Sequence, residues 1–447
     1  MPDFIGTAVH MKEKRKRKSK VNKMKQKSLK KRTRILSAFL AALALTFGLC
    51  ACRQNDPIIS DKEKGKFSEL TLIDQFFQKY SLFELDEAEI MKAVLKGYVA
   101  GTGDRYAEYF TAEEYDRLTS ESQGESVGVG INVIQNTEKN AIEIISVLPD
   151  SPASEADLRP GDCITFIKTE QGYQSVAETG YTKSLELLRG AEGSVAEFSV
   201  ERGDQKLDFS LVRRQVISLS VQGRVCATDP GVGIVKITEF NLTTPTQFRE
   251  AVESLLQQGC DRFVFDVRYN PGGDLNSIKA VLACFLSQGD VVIRTSDRKG
   301  NKTSDTIHPE NFSGDYAGCS IKKENIGIYK SLPLAVLTNG STASAAELFT
   351  SVLRDYGLSI TVGTKTYGKG TMQSTFRLKQ YGYDGAIKLT TKYYYPPLSD
   401  SYDGVGILPD VEVDLAESLK NVNIYKISDA EDNQLQAAIQ ALGQKNK

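Results

Sequence analysis

A chain of 447 residues has room for two or three domains and a sizeable core. Only two histidines are present, which excludes a histidine-rich metal centre, and the seven cysteines contain no CxxC pair of the kind zinc sites use. The net charge of −1 hides an asymmetry: residues 1–34 hold 14 of the 56 basic residues against two acids, leaving 42 basic and 55 acidic residues, a net of −13, in the remainder.

That basic segment runs directly into the uncharged stretch ILSAFLAALALTFGLCAC, residues 35–52. Positive charge followed by an apolar run reads as an export signal or membrane anchor with its basic end in the cytoplasm, not as a nucleic-acid arm. The run is short for a spanning helix, which needs about 20 residues. Its end, Leu49-Cys50-Ala51-Cys52, resembles a bacterial lipoprotein cleavage box with Cys52 as the lipidated residue. Cys50 fits less well, because bulky Leu49 would precede it. An uncleaved single span is the alternative, and both place the folded part outside the cytoplasm. Residues 1–52 are therefore leader, and the polar residues 53–66 read as a tether. Over 67–120 the spacing of Leu70, Ile73, Phe76 and Phe77, then of Ile90, Val94 and Leu95, predicts a small helical region.

Residues 121–215 change to short strands with turn signals. Strands are expected at 128–133, 141–147, 164–167, 195–200 and 207–211, with a helix at 181–188. This order, with the segments GVGI and SPASEADLRPGD, resembles a PDZ domain. The resemblance implies that the backbone of Gly128, Val129, Gly130 and Ile131 receives a peptide's C-terminal carboxylate while the peptide adds as a strand.

From residue 216 strands alternate with helices. A strand at 231–237 precedes an amphipathic helix ending near 258, with Phe248, Val252, Leu255 and Leu256 on one face. Thr244 is expected as its N-cap, Pro245 in its first position and Gln247 closing a capping box. A strand at 262–267 enters the turn Asn270-Pro-Gly-Gly273. Strands at 334–337, 358–362, 371–378 and 387–395 and a helix at 344–356 complete an α/β core over 216–420. Residues 296–325 read as a surface hairpin or loop, and 421–447 as a C-terminal segment. Cys163, Cys226, Cys260, Cys284 and Cys319, odd in number and scattered, form no disulfide framework and read mostly as buried apolar residues.

Two residues carry the chemistry. Ser344 follows a strand and a polar turn and opens a helix. Ser344-Ala-Ala-Glu347 is a capping box by sequence, but a helix N-terminus between small residues also suits a nucleophile. Lys369 lies 25 residues on, between Gly368 and Gly370. A Ser-His-Asp hydrolase would depend on His308, since His10 lies in the leader, whereas a desolvated lysine can activate a serine without any histidine. Gly363 to Lys369 approaches a phosphate-binding loop, but Gly370 stands where serine or threonine is required and a strand follows instead of a helix.

Together STASAAE, RDYG, VGTKTYGKGTMQS, VFDVRYNPGG and GVGILPDVEV resemble the C-terminal processing (tail-specific) peptidases, over roughly residues 85–415. The resemblance implies a multi-domain α/β fold: a ClpP/crotonase-like peptidase core, an inserted PDZ β-domain and the small helical region. It implies Ser344 as nucleophile, Lys369 as general base and Gln373 orienting the lysine. Backbone N–H groups of Ala345 and of Gly272 or Gly273 would form the oxyanion hole. Arg189 matches an arginine linking the PDZ domain to the active site, and Asp355 a position often acidic. The chain departs from the pattern at Asp104-Arg-Tyr-Ala107, where a proline usually follows the aspartate, and at Ala346, where many members have serine. The expectation is an exported, membrane-attached serine endopeptidase acting on protein or peptide substrates with free C-termini. It implies no metal or organic cofactor and no nucleic-acid partner, and leaves a homodimer open. A non-catalytic PDZ adaptor on the same scaffold is the rival.

Overall fold

The computed structural model describes residue 65 and residues 67–420 and 422–445. The leader, Cys50, Cys52 and almost all of the 53–66 tether lie outside the described residues. Among the described residues no helix is long and apolar enough to cross a membrane. The described residues fall in two compact units, one through residue 86 and the other from residue 87.

In the first unit the periodic apolar residues form the expected helix, Ser68–Tyr80, closed by Ser81 N–H donating to Phe77 O at 3.0 Å. None of its residues is buried.

The second unit opens with the helices Glu87–Ala100 and Ala112–Ser122, the latter started by a capping box between Thr111 and Glu114. A β-rich module follows, entered and left through the paired strands Glu125–Gly128 and Arg214–Ile217. Its sheet runs in the order Ile131–Asn136, Ala141–Val147, Cys163–Thr169, Val195–Arg202, Gln205–Val212, and the helix Tyr181–Leu188 packs with it. Ile142, Ile144, Ile164, Phe198 and Val200 form its fully buried centre. The single strand expected at 128–133 is broken at Val129-Gly130. Gly130 has φ +84°, and a Cβ there would lie 2.2 Å from Ser151 Cβ, so the chain turns tightly where only glycine fits.

The core sheet has the order Val221–Val225, Val232–Ile237, Arg262–Asp266, Leu334–Thr338, Ser359–Gly363, Val411–Glu412, parallel except for the first pair. Strand alternation sorts its side chains into two layers. Phe263 and Phe265 face the helices Thr244–Gln257, Leu275–Ala283 and Ala345–Asp355, through Phe248, Val252, Ile278 and Phe349. Val264, Ala335 and Leu337 face the C-terminal helix Asn433–Lys445, through Leu435, Ala438 and Leu442. Buried Arg268 pins the start of that helix, donating to Asp432 at 2.7 and 3.1 Å and to Gln434 at 3.0 Å. The C-terminal segment thus supplies the second layer of the core.

Thr244 begins the Thr244–Gln257 helix, with Thr243 as the cap residue and no side-chain cap bond. The Gln247 amide does not simply close a box; it reaches Ser218 O at 2.9 Å and Ser220 N at 2.9 Å, joining the helix to the segment that leads into the strand Val221–Val225. A second sheet holds Glu108–Phe110, Ala386–Tyr395, Val291–Asp297 and Lys302–Thr306 in order, with Thr371–Arg377 also on Ala386–Tyr395. The polar stretch after 296 contains the expected hairpin. All five described cysteines are buried and free, and burial pushes the Cys284 and Cys319 thiols up to about 12.

Candidate active site

Ser344 stands between the strand Leu334–Thr338 and the helix Ala345–Asp355 with φ 57° and ψ −119°. A non-glycine residue in that region is strained and must be held by its surroundings. Thr342 Oγ1 donates to Val267 O at 2.9 Å, and Ala343 N–H to Asn270 O at 2.9 Å, so the serine turn is fastened to the Asn270-Pro-Gly-Gly turn. The two approach so closely that a Cβ on Gly272 would lie 2.8 Å from Ser344 Cβ and from Ala345 N.

Of the three expected oxyanion donors, Gly272 is otherwise engaged. Its N–H donates to Asn270 Oδ1 at 2.8 Å. Gly273 N–H and Ala345 N–H remain as donors not committed elsewhere among the described residues.

Glu347 does more than its place in the Ser344 box predicts. The carboxylate is wholly buried and accepts from Ser344 N at 2.9 Å and Lys369 N at 2.8 Å, and from Gly368 N at 2.7 Å and Thr366 Oγ1 at 2.5 Å. One side chain therefore grips the backbone of both Ser344 and Lys369. Burial raises its proton affinity, against the pull of these four donors.

Lys369 is half-buried beside Ser344 in one cavity of about 440 Å³, also lined by Gly273, Gln373 and Tyr394. Burial, with help from the positive charges of Lys388 and Arg105, lowers its pKa, and Glu347 opposes this. Its Nζ lies 4.4 Å from the centre of the Tyr106 ring and has no hydrogen-bond partner among the described residues. Gln373 makes no hydrogen bond to Lys369 among the described residues. Its Nε2 lies 3.2 Å from both Thr371 Oγ1 and Thr390 Oγ1, because a bulge between Met372 and Gln373 breaks the strand alternation.

Tyr394 is a site residue that sequence reasoning missed. It is buried, donates to Lys369 O at 2.6 Å and lies against the Ser344 side chain. The signal was the run Lys392-Tyr-Tyr-Tyr395 in a strand, where alternation turns Tyr394 inward and leaves Tyr393 exposed. Asp355 accepts from Leu398 N and Ser399 N at 2.8 and 2.9 Å and ties a loop to the end of the serine helix. His308 is exposed, 2.7 Å from Glu310, and does not line the Ser344 cavity.

A second cavity of about 350 Å³ lies in the β-rich module between the strand Ile131–Asn136 and the helix Tyr181–Leu188. Gly128, Val129, Gly130, Ile131 and Arg189 all line it, together with the apolar Leu185 and Leu188.

A strained serine at a helix start, glycine-turn amides beside it and a desolvated lysine in the same cavity are the parts of a serine hydrolase. The sequence profile of Peptidase family S41 matches residues 231–413, a span that includes Gly272, Ser344, Lys369 and Gln373. The chain is 27% identical over 397 residues to a carboxy-terminal-processing protease of Bartonella bacilliformis, covering 86% of this chain and 84% of that protein. It is 28% identical over 368 residues to a CtpA-like serine protease of Staphylococcus aureus, covering 80% and 68%. Among solved structures, an S41 protease of Bacteroides fragilis shares the fold with a TM-score of 0.52 and 18% identity, over 84% of this chain and 98% of that one. Residues 231–413 thus match peptidase family S41, and the protein is a serine peptidase.

Proposed function

We propose that this protein is an exported, membrane-attached endopeptidase that cleaves protein substrates near their C-termini with a Ser344-Lys369 dyad. The observation that carries the reading is the shared cavity: Ser344 and half-buried Lys369 line it together, and His308 does not. Neutral Lys369 takes the Ser344 Oγ proton as the oxygen attacks the substrate carbonyl. Gly273 N–H and Ala345 N–H receive the oxyanion, and the protonated lysine then gives its proton to the leaving amine. Water, deprotonated by the same lysine, releases the acyl group from Ser344. The core would be of the ClpP/crotonase-like kind.

Residues 125–217 act in this reading as a PDZ domain. Its groove offers an open strand edge, a glycine turn and an apolar helix face, the features a C-terminal peptide needs in order to add as a strand. The full chain should therefore cleave unfolded protein, and Ser344→Ala should not. Amidating a peptide substrate's C-terminus removes the carboxylate charge and should reduce its cleavage about tenfold or more, the scale of one charge-assisted contact. Equal cleavage of free and amidated peptides would count against tail recognition; binding without turnover by the unmutated chain would favour the adaptor.

Membrane attachment rests on the basic leader and on Cys52. Intact-mass measurement of the membrane-bound protein should find a chain beginning at lipidated Cys52. A mature chain that retains residues 35–51 would assign attachment to an uncleaved span instead.

A further inference from the structure

The loop Asp104-Arg105-Tyr106-Ala107, where the chain departs from the tail-specific peptidase pattern, is built into the dyad's surroundings. Asp104 fixes it to the strand Ala386–Tyr395, its carboxylate accepting from Thr390 N at 2.7 Å, Thr390 Oγ1 at 3.0 Å and Tyr106 N at 3.0 Å. Burial alone would raise the Asp104 pKa, but these donors outweigh it and hold the carboxyl below its usual value. Thr390 in turn accepts from Gln373 Nε2 at 3.2 Å, which ties Gln373 to this loop through Thr390. The loop presents the Tyr106 ring to Lys369 Nζ at 4.4 Å, and Arg105 also lies 4.6 Å from the same ring centre.

An ammonium is attracted to an aromatic face and a neutral amine is not. We propose that Tyr106 is a positioning residue for the general-base lysine: its ring holds the Lys369 ammonium in the resting enzyme and releases the neutral amine toward Ser344. The inference rests on the Ser-Lys reading. It couples the place of the base to its protonation, so the amine reaches the serine hydroxyl in the form that can accept a proton. The other charged groups facing Lys369 are Arg105 on the same loop, Lys388 on the strand Ala386–Tyr395 and Glu347 on the serine helix, with the Tyr394 hydroxyl on its carbonyl. Across the cavity lie Glu121, Glu239 and Asp274. None of the charged groups carries a ring, and Tyr394 meets the Lys369 carbonyl through its hydroxyl while the Tyr106 ring faces Nζ, so the ring's contribution can be separated from theirs.

The test is the pH dependence of Lys369 acetylation by acetic anhydride, followed by peptide mass spectrometry on the full chain with Ser344→Ala as background. Tyr106→Phe keeps the ring and should leave the midpoint in place. Tyr106→Leu keeps the site apolar but removes the attraction to the ammonium, and should lower the midpoint by about one pH unit. Tyr106→Trp should raise it, and provides the answer if the leucine variant fails to fold. With Ser344 intact, the acid limb of kcat/KM should move in the same direction as the midpoint. A Tyr106→Leu midpoint equal to or above that of Tyr106→Phe overturns the proposal. A shifted midpoint with an unmoved acid limb leaves Tyr106 on the lysine but removes Lys369 as the base, so the two ideas fail separately.

Discussion

Replacing Lys369 by alanine or by arginine is expected to abolish cleavage while the protein stays folded. A general base contributes roughly 10²–10⁴-fold, and no histidine lines the cavity to substitute for it. Arginine is the informative change, because it keeps the positive charge yet stays protonated at any working pH. A lysine at its reference value of about 10.4 would also be almost wholly protonated at neutral pH. Burial, with Lys388 and Arg105 nearby, lowers that value and brings neutral amine within reach. The sign for activity follows. The base is competent when neutral, so kcat/KM should rise with pH through the lowered Lys369 pKa and fall about tenfold per unit below it. Removing a half-buried cation also removes its desolvation penalty, so the alanine variant should unfold no earlier than the unmutated protein. Near-normal cleavage by Lys369→Arg would overturn the dyad.

Local pattern made much of this arrangement legible. The helix at 181–188 and the strand at 141–147 lie where apolar composition and the flanking turn signals put them. The strand-to-helix step at Ser344 and the glycine turn at 270–273 were likewise visible as motifs. What sequence could not resolve depends on neighbours distant in the chain. The helix Leu275–Ala283 is buried along most of its length, so it carries no amphipathic period, and only the Asp274 cap on Asn276 and Ser277 marks its start. Gly272 and Gly273 look equivalent in sequence, and it is the Asn270 side chain that withdraws one of them. Gln373 lies four residues from Lys369, but the bulge beside it and Thr390 on the next strand decide where its amide points. Tyr106 precedes Lys369 by more than 260 residues, and no local signal links them.

Glu347 offers the sharpest contrast between local and tertiary roles, and its replacement should have the second large effect. If it only completed a helix cap, Glu347→Ala would cost about 1 kcal/mol and leave the chemistry intact. The structure gives it four buried or half-buried donors from three parts of the chain: the serine turn, Thr366, and the amides of Gly368 and Lys369. Each buried donor left unsatisfied costs about 1–3 kcal/mol, so even with relaxation and entry of water the loss should reach about 3–5 kcal/mol. Glu347→Gln keeps the shape but turns an NH₂ toward a donor, and should cost about 2 kcal/mol. Both should lose cleavage more steeply than stability, because the strained φ of Ser344 and the position of the Lys369 backbone depend on the same carboxylate. Urea unfolding read beside cleavage at a temperature where both variants remain folded separates the effects. A loss near 1 kcal/mol with cleavage intact would reduce Glu347 to a cap. A folded but inactive Glu347→Gln would mean that catalysis requires the two loops to be held in register by one carboxylate, even though that carboxylate takes no part in the bond-making itself.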